Sequence, residues 1–141
     1  PEFKSLDEYM DFIVKTVLPR VKSAALADRV DIYIENGFYT LEQARTYFAA
    51  ARALGFAVTA HVEQLSLFGG TELALDFHPQ SVDHVVYAAD ATIQRLAKSE
   101  TTAVLLPTSD FYLKMRYPPA RQMIDAGVRV ALSTDFNPGT S

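Results

Sequence analysis

Apolar positions along this chain switch between two periods. Over 6–18, Leu6, Tyr9, Met10, Ile13, Val14, Val17 and Leu18 recur at three- and four-residue spacing, which predicts a helix. Ser5, with Glu8 three residues on, reads as a capping box for it. Pro19 either kinks that helix or opens another short one. At Val30-Asp31-Ile32-Tyr33-Ile34-Glu35 the pattern turns to strand, and Asn36-Gly37 punctuates its end. Thr40 caps a second helix over 41–54, closed by Gly55. The cycle then repeats. A strand over 56–62 is followed by a short helix opened by Gly69-Gly70-Thr71, and a strand over 81–86 by a helix that Asp90 caps. A strand over 102–107 precedes a helix with Pro118 or Pro119 in its first turn and Gly127 at its end, and a last strand covers 128–133.

Five short apolar strands alternating with helices predict an α/β fold with a parallel sheet buried on both faces. Two architectures meet the pattern: a small doubly wound domain of flavodoxin type, and part of a (β/α)8 barrel. The 141 residues suit one α/β unit over 1–141, whereas a whole barrel needs about 250. Apolar residues make up 49% and charged residues 21%, enough apolar surface to exclude disorder. No apolar run reaches the roughly 18 residues of a membrane span. With a net charge of −4 and 13 scattered basic residues, no nucleic-acid footprint is visible. The absence of cysteine excludes disulfides and thiolate metal sites and fits a cytoplasmic setting. The start, Pro1-Glu2-Phe3-Lys4, is neither a signal peptide nor an initiator, and points to a longer parent chain.

Polar residues recur where the predicted strands end. Glu35 closes the first, His61 to Gln64 the second, His84 the third, and Asp135 follows the fifth. That edge is where parallel α/β sheets bind ligands. Imidazole and carboxylate converging there suit a metal with N/O ligands, and such a metal lowers the pKa of bound water to about 7. Each residue also has a plainer reading. His61 or His84 alone is as well a hydrogen-bonded strand residue, Asp135 a turn cap before Asn137-Pro138-Gly139, and His78 a loop residue. Asp83 and Glu63 alternate with the histidines, as partners orienting an imidazole or as ion pairs with helices. Gly69-Gly70 before a helix could cradle a phosphate, but no phosphate-loop lysine accompanies it.

Read in order, six segments resemble one family. They are Ile34-Glu35-Asn36-Gly37-Phe38-Tyr39-Thr40-Leu41-Glu42-Gln43-Ala44-Arg45, His61-Val62-Glu63-Gln64-Leu65, Gly69-Gly70-Thr71-Glu72-Leu73-Ala74, Ser81-Val82-Asp83-His84, Ala103-Val104-Leu105-Leu106-Pro107, and Ser133-Thr134-Asp135-Phe136-Asn137-Pro138-Gly139-Thr140-Ser141. Together they are similar to the imidazolonepropionases of the metal-dependent amidohydrolase superfamily. The likeness implies that the five strands are strands four to eight of a (β/α)8 barrel. It implies a cytoplasmic hydrolase of histidine degradation that opens 4-imidazolone-5-propanoate to N-formimidoyl-L-glutamate, with one zinc or iron ion.

The resemblance also implies roles. His61 and Asp135 are metal ligands, and Asp135 also carries protons. His84 polarises the substrate carbonyl or shuttles a proton. Gln64 contacts the ring, and Asn137, Gly139 and Thr140 hold the substrate near its carboxylate end. Glu63 departs from the small residue and Asp expected after the strand-five histidine. The family's His-x-His on strand one has no match among His61, His78 and His84, so this portion alone is expected to be inactive. A half barrel leaves two sheet edges unpaired, and homo-oligomers or self-association are expected. Another amidohydrolase or deaminase, and a non-catalytic flavodoxin-like domain, are the alternatives.

Overall fold

Alternation along the strands decides the architecture. The computed structural model describes residues 2–140; Pro1 and the Ser141 that ends the last quoted segment lie outside them. Strands β1 (Arg29–Val30) and β2 (Tyr33–Ile34) both run parallel to β3 (Ala57–Val62), pairing Arg29 with Ala57, Val30 with Val58, Tyr33 with His61 and Ile34 with Val62. The register is the same throughout, so β1 and β2 are one strand interrupted at Asp31 and Ile32. β3 then pairs with β4 (Ser81–His84), β4 with β5 (Thr102–Leu105) and β5 with β6 (Arg129–Leu132), all parallel.

The spatial order follows the chain without reversal. A doubly wound sheet must reverse at its switch point, whereas each step round a (β/α)8 barrel goes the same way. The flavodoxin-like alternative is therefore excluded, and the sheet is an arc of a barrel.

Helix α1 (Leu6–Phe12) begins at Ser5, whose hydroxyl accepts from the Glu8 N–H, but the expected capping box is half formed, because the Glu8 carboxylate accepts from the Lys4 N–H at 2.8 Å. It passes through a π-helical turn (Ile13–Val17) into α2 (Leu18–Ser23), the Leu18 N–H reaching the Ile13 carbonyl. Pro19 explains the loosened turn, since its ring crowds the carbonyl four residues back and it donates no N–H. Helix α3 (Leu41–Ala53) has the complete capping box, Thr40 with Gln43. Then come α4 (Gly70–Leu75), α5 (Asp90–Ala97), α6 (Pro107–Tyr112) and α7 (Ala120–Asp125). Asp90 was expected to cap α5; Ala89 holds that position, and the Asp90 carboxylate instead accepts from Gln122 Nε2 at 2.7 Å, tying α5 to α7. Helix α6 starts at Pro107, the last residue of the expected strand, and continues over residues to which the pattern assigned no element. Its signal was Pro107 in the first turn.

Only one face of the sheet is covered by helices. Ile32, Ala60, Val82 and Ala103 are at most 5% exposed and share a core with Phe48 of α3, Leu73 of α4, Ile93 of α5 and Met123 of α7. The opposite face presents Tyr33, His61, Asp83, Val104 and Ala131 at one level, all half-buried or exposed. Asp31, Thr59, Ser81, Thr102 and Arg129 lie one step below. The expectation that both faces are buried is corrected. The second face carries Asp31, Thr59, His61, Ser81, Asp83 and Arg129, and burying such charged and polar groups against apolar helices would cost their desolvation.

Two buried carboxylates lock the loops at the strands' C-terminal edge. Glu35, after β2, accepts from the N–H groups of Asn36, Leu65 and Ser66 and from the Ser66 hydroxyl. Glu63, after β3, accepts from the N–H groups of Gly69, Gly70 and Thr71, at 2.7–2.8 Å, and from the Thr71 hydroxyl. The N–H groups that could have cradled a phosphate are thus filled by the protein's own carboxylate. Gly70 is required by close approach: a Cβ there would stand 3.0 Å from Val62 Cγ1 and 3.2 Å from Ile34 Cβ.

Candidate metal centre

Three strand ends deliver the site. His61 is the penultimate residue of β3, His84 the last of β4, and Asp135 lies in the loop after β6. One ligand atom from each lies within 4.8 Å of the other two, and no other such group of three exists among the described residues. The imidazoles are tilted at 55° with centroids 5.5 Å apart. His78 is exposed in a loop and takes no part.

Reaching this geometry strains the backbone. His84 sits at φ +74°, Val85 at +52° and Asp135 at +54°. Left-handed conformations in residues with a Cβ cost of order 1–3 kcal/mol each and persist where surrounding structure imposes them. Here the Val85 N–H is held by the Val62 carbonyl and the Tyr87 N–H by that of Glu63. The two bonds turn the chain sharply after β4 and direct His84 inward.

The loop carrying Asp135 is built around Asn137. Its Nδ2 donates to the Asp135 carbonyl at 2.7 Å and its Oδ1 accepts from the N–H groups of Gly139 and Thr140. Thr140 then donates its hydroxyl to Asp135 Oδ2 at 2.8 Å. Asn137, Gly139 and Thr140 therefore hold one another and aim the aspartate, with the Asn137 amide spent inside the turn. Gln64 is buried beside Glu63 at the end of β3.

His61 is flanked by carboxylates. Its Nδ1 lies 2.8 Å from Asp31 Oδ2, with the N–H bent off the line to the oxygen, and its Nε2 lies 3.9 Å from Asp83 Oδ2. The Asp31 contact raises the His61 pKa against the opposing effect of burial. Burial pushes Asp31 up, but His61 and the Thr59 hydroxyl outweigh it and the net shift is downward. For Asp83 burial wins and the shift is upward. Burial and the charge of His61 drive His84 down to about 4. Asp135 is pulled below its usual value: burial raises it, but the hydroxyls of Thr140 and Ser109 and the two imidazoles prevail. The Nδ1 of His84 is buried and has no hydrogen-bond partner among the described residues.

These shifts make one testable asymmetry. In the metal-free protein at about pH 5.5, His61 is expected to carry a proton and His84 to be neutral, read from the two imidazole C2–H resonances in an NMR titration. For His84 the folded value is lowered. Its stabilising contribution is therefore present above the ordinary value of 6.5 and lost as pH falls toward 4. Coincident midpoints for the two rings would contradict the arrangement.

Sequence reasoning missed Asp31 and Asp110. Asp31 is the polar member of the strand alternation one level below Tyr33, and its signal was period two read across the sheet rather than along it. Asp110, in α6, is 1% exposed with both carboxylate oxygens unpartnered, and burial with the charge of Asp135 raises it to about 6. Glu63, the departure from the family pattern, turns away from the centre to lock the loop before α4.

No family profile matches the sequence. Among curated proteins, the imidazolonepropionase of Bdellovibrio bacteriovorus is 53% identical over 141 residues, all of this chain and 33% of that protein. That of Bacillus velezensis is 47% identical, over all of this chain and 34% of its own length. The family it matches is imidazolonepropionase.

The chain spans about a third of the length of the imidazolonepropionases it matches. Solved structures agree on the fold. A zinc-bound adenosine deaminase from Xanthomonas campestris superposes with a TM-score of 0.68 at 17% identity, over 92% of this chain and 33% of its own. A guanine deaminase from C. acetobutylicum gives 0.59 at 20% identity, over 70% and 28%. At such identities the likeness speaks for the barrel arc alone. No helix among the described residues is long and apolar enough to cross a membrane.

Proposed function

We propose that this chain is part of an imidazolonepropionase, a metal-dependent hydrolase that opens the cyclic amide of 4-imidazolone-5-propanoate to N-formimidoyl-L-glutamate. The observation that carries the reading is the convergence of His61, His84 and Asp135, within 4.8 Å, on one edge of the arc. Residues and group fit: the His61 imidazole and the Asp135 carboxylate are N/O donors of the kind zinc or iron takes, two of the three or more protein ligands such a site needs, and the buried His84 Nδ1, without a partner among the described residues, lies in the same cluster. His61 and Asp135 would hold the ion. When bound, the ion supplies Lewis acidity, lowering the pKa of water to about 7.

The chain's own residues do the rest. Asp135, ionised at neutral pH, accepts the proton of the attacking water. It returns that proton to the ring nitrogen as the carbon–nitrogen bond breaks, so one water is consumed and no ammonia is released. His84, kept neutral by burial, donates a hydrogen bond to the carbonyl oxygen as negative charge develops there. Gln64 orients the ring, and the turn formed by Asn137, Gly139 and Thr140, whose donors are used within it, supplies the wall against which the carboxylate end of the substrate would lie.

The test uses the full-length protein. Metal analysis should find about one zinc or iron per chain, and product analysis should find ring opening without ammonia. Ammonia release would favour a deaminase, and a metal-free active protein would overturn the reading. Expressed alone, residues 1–141 should lack this activity, because the His-x-His implied by the family is not in them. They should also self-associate through the exposed edge strand β6, where Leu132 is 73% exposed. A monodisperse monomer in sedimentation velocity would contradict the second expectation.

A further inference from the structure

Asp31 is in none of the roles above, yet it is the carboxylate nearest to the imidazole that would hold the ion. It lies in the gap between β1 and β2, where the ladder to β3 is interrupted although the register on either side is unchanged. The gap keeps the strand in line and leaves the Asp31 side chain on the open polar face beside β3.

Its two oxygens are divided. Oδ1 accepts from the Thr59 hydroxyl at 2.8 Å, and Oδ2 lies 2.8 Å from His61 Nδ1. Thr59 and His61 stand two residues apart on β3 and thus on the same face. One end of the carboxylate is therefore anchored to the strand that carries the imidazole, and the other lies 2.8 Å from the imidazole Nδ1, with the N–H off the line to it. With the Asp31 carboxylate against Nδ1, Nε2 is the nitrogen left for the centre formed with His84 and Asp135. The neighbouring Asp83 does not compete for it: its oxygen stands 3.9 Å away and its other oxygen accepts from Ser81.

We infer that Asp31 is a positioning residue, anchored by Thr59, that fixes the tautomer and orientation of His61 so that Nε2 faces the metal. The inference rests on the proposed metal reading. A carboxylate on the far nitrogen of a ligating imidazole pre-sets which nitrogen is free and makes it a better donor, and losing such a partner typically weakens metal binding roughly 10–100-fold. Asp31 touches neither substrate nor ion on this account; it acts through His61.

The experiment compares Asp31→Ala and Asp31→Asn in the full-length protein, with two readouts. The first is the zinc dissociation constant, by chelator competition. The second is the ring-nitrogen NMR signature of His61 in the metal-free protein, taken at a pH above its raised pKa, where the ring is neutral and has a tautomer. Asp31→Ala should raise the zinc Kd roughly 10–100-fold and shift His61 from the Nδ1–H form toward a mixture of tautomers. Asp31→Asn, which keeps an acceptor at the same place, should recover most of both losses. Should Asp31→Ala fail to fold, Thr59→Val removes only the anchor and should produce a smaller change of the same sign.

The inference is overturned if a folded Asp31→Ala binds zinc within about twofold of wild type, the reference being the decade that loss of such a partner produces. Equal impairment in Ala and Asn, tracking lost thermal stability with His61 unchanged, would likewise overturn it. A wild-type protein that binds no zinc or iron would instead sink the metal reading itself, while the His61 tautomer would still report on Asp31.

Discussion

Asp135→Asn in the full-length protein is expected to lower kcat by roughly 10²–10⁴-fold, the range lost when a positioned proton carrier is removed. The substitution is nearly isosteric and can still accept from the Thr140 hydroxyl, which lies 2.8 Å from Oδ2. The loop built on Asn137 should therefore survive, and the loss falls on proton transfer and on the ion. The two are separable. Metal content per chain reports the ligand role, and the rate per metal-loaded chain reports proton transfer. Asp135 is held below its ordinary value by the Thr140 and Ser109 hydroxyls and by both imidazoles, against burial. It is the ionised form that accepts a proton, so activity should fade as pH drops through that lowered value. A variant within tenfold of wild type at full metal loading would remove Asp135 from the chemistry.

The second large effect is on folding. Glu63→Ala strips one buried carboxylate from four donors, the N–H groups of Gly69, Gly70 and Thr71 and the Thr71 hydroxyl. Each buried donor left unpaired costs about 1–3 kcal/mol. Even with water admitted to the loop, a loss of about 3–5 kcal/mol is expected, comparable to breaking a buried charged network. That is a large share of the roughly 5–15 kcal/mol that stabilises an ordinary domain. Urea denaturation should show the lowered midpoint. Glu63→Gln should lose less, since one oxygen remains, although its amide then faces donors. A change below about 1 kcal/mol, the net worth of a single hydrogen bond, would show that the loop before α4 is held by something else. Because Gln64 follows directly, loosening this loop should also disturb ring binding in the full-length enzyme.

The strands and the caps of α1 and α3 were readable because they are local. Apolar period, a Thr or Ser with a Gln or Glu three residues on, and a closing Gly act over a few residues, and nothing distant overrides them here. Helix α6 escaped because it is one and a half turns long and follows a strand directly, leaving Pro107 as its only mark. Asp90 was misplaced by one position because Ala89 takes the extended cap conformation while Asp90 is drawn to Gln122 of another helix. At the centre, His61, His84 and Asp135 were each placed at a strand end by pattern. Their shared edge followed from the parallel arrangement, and their roles only from resemblance.

What the sequence by itself determined is the alternation of strand and helix, the edge on which polar residues collect, and the likeness to a hydrolase family. All three follow from short-range periodicity or from ordered segments. Tertiary structure alone decided three other things. The unreversed strand order makes the sheet a barrel arc rather than a doubly wound domain. Helices cover only one face of it, leaving a polar surface open. Glu63 serves a loop while Asp31 serves His61. The reason is the same in each case. Which strand lies beside which, and that Asp31 meets His61, depends on contacts between residues about 30 apart, while Glu63 folds back on donors six to eight residues ahead through a loop, and neither kind of chain closure leaves a periodic trace in the sequence.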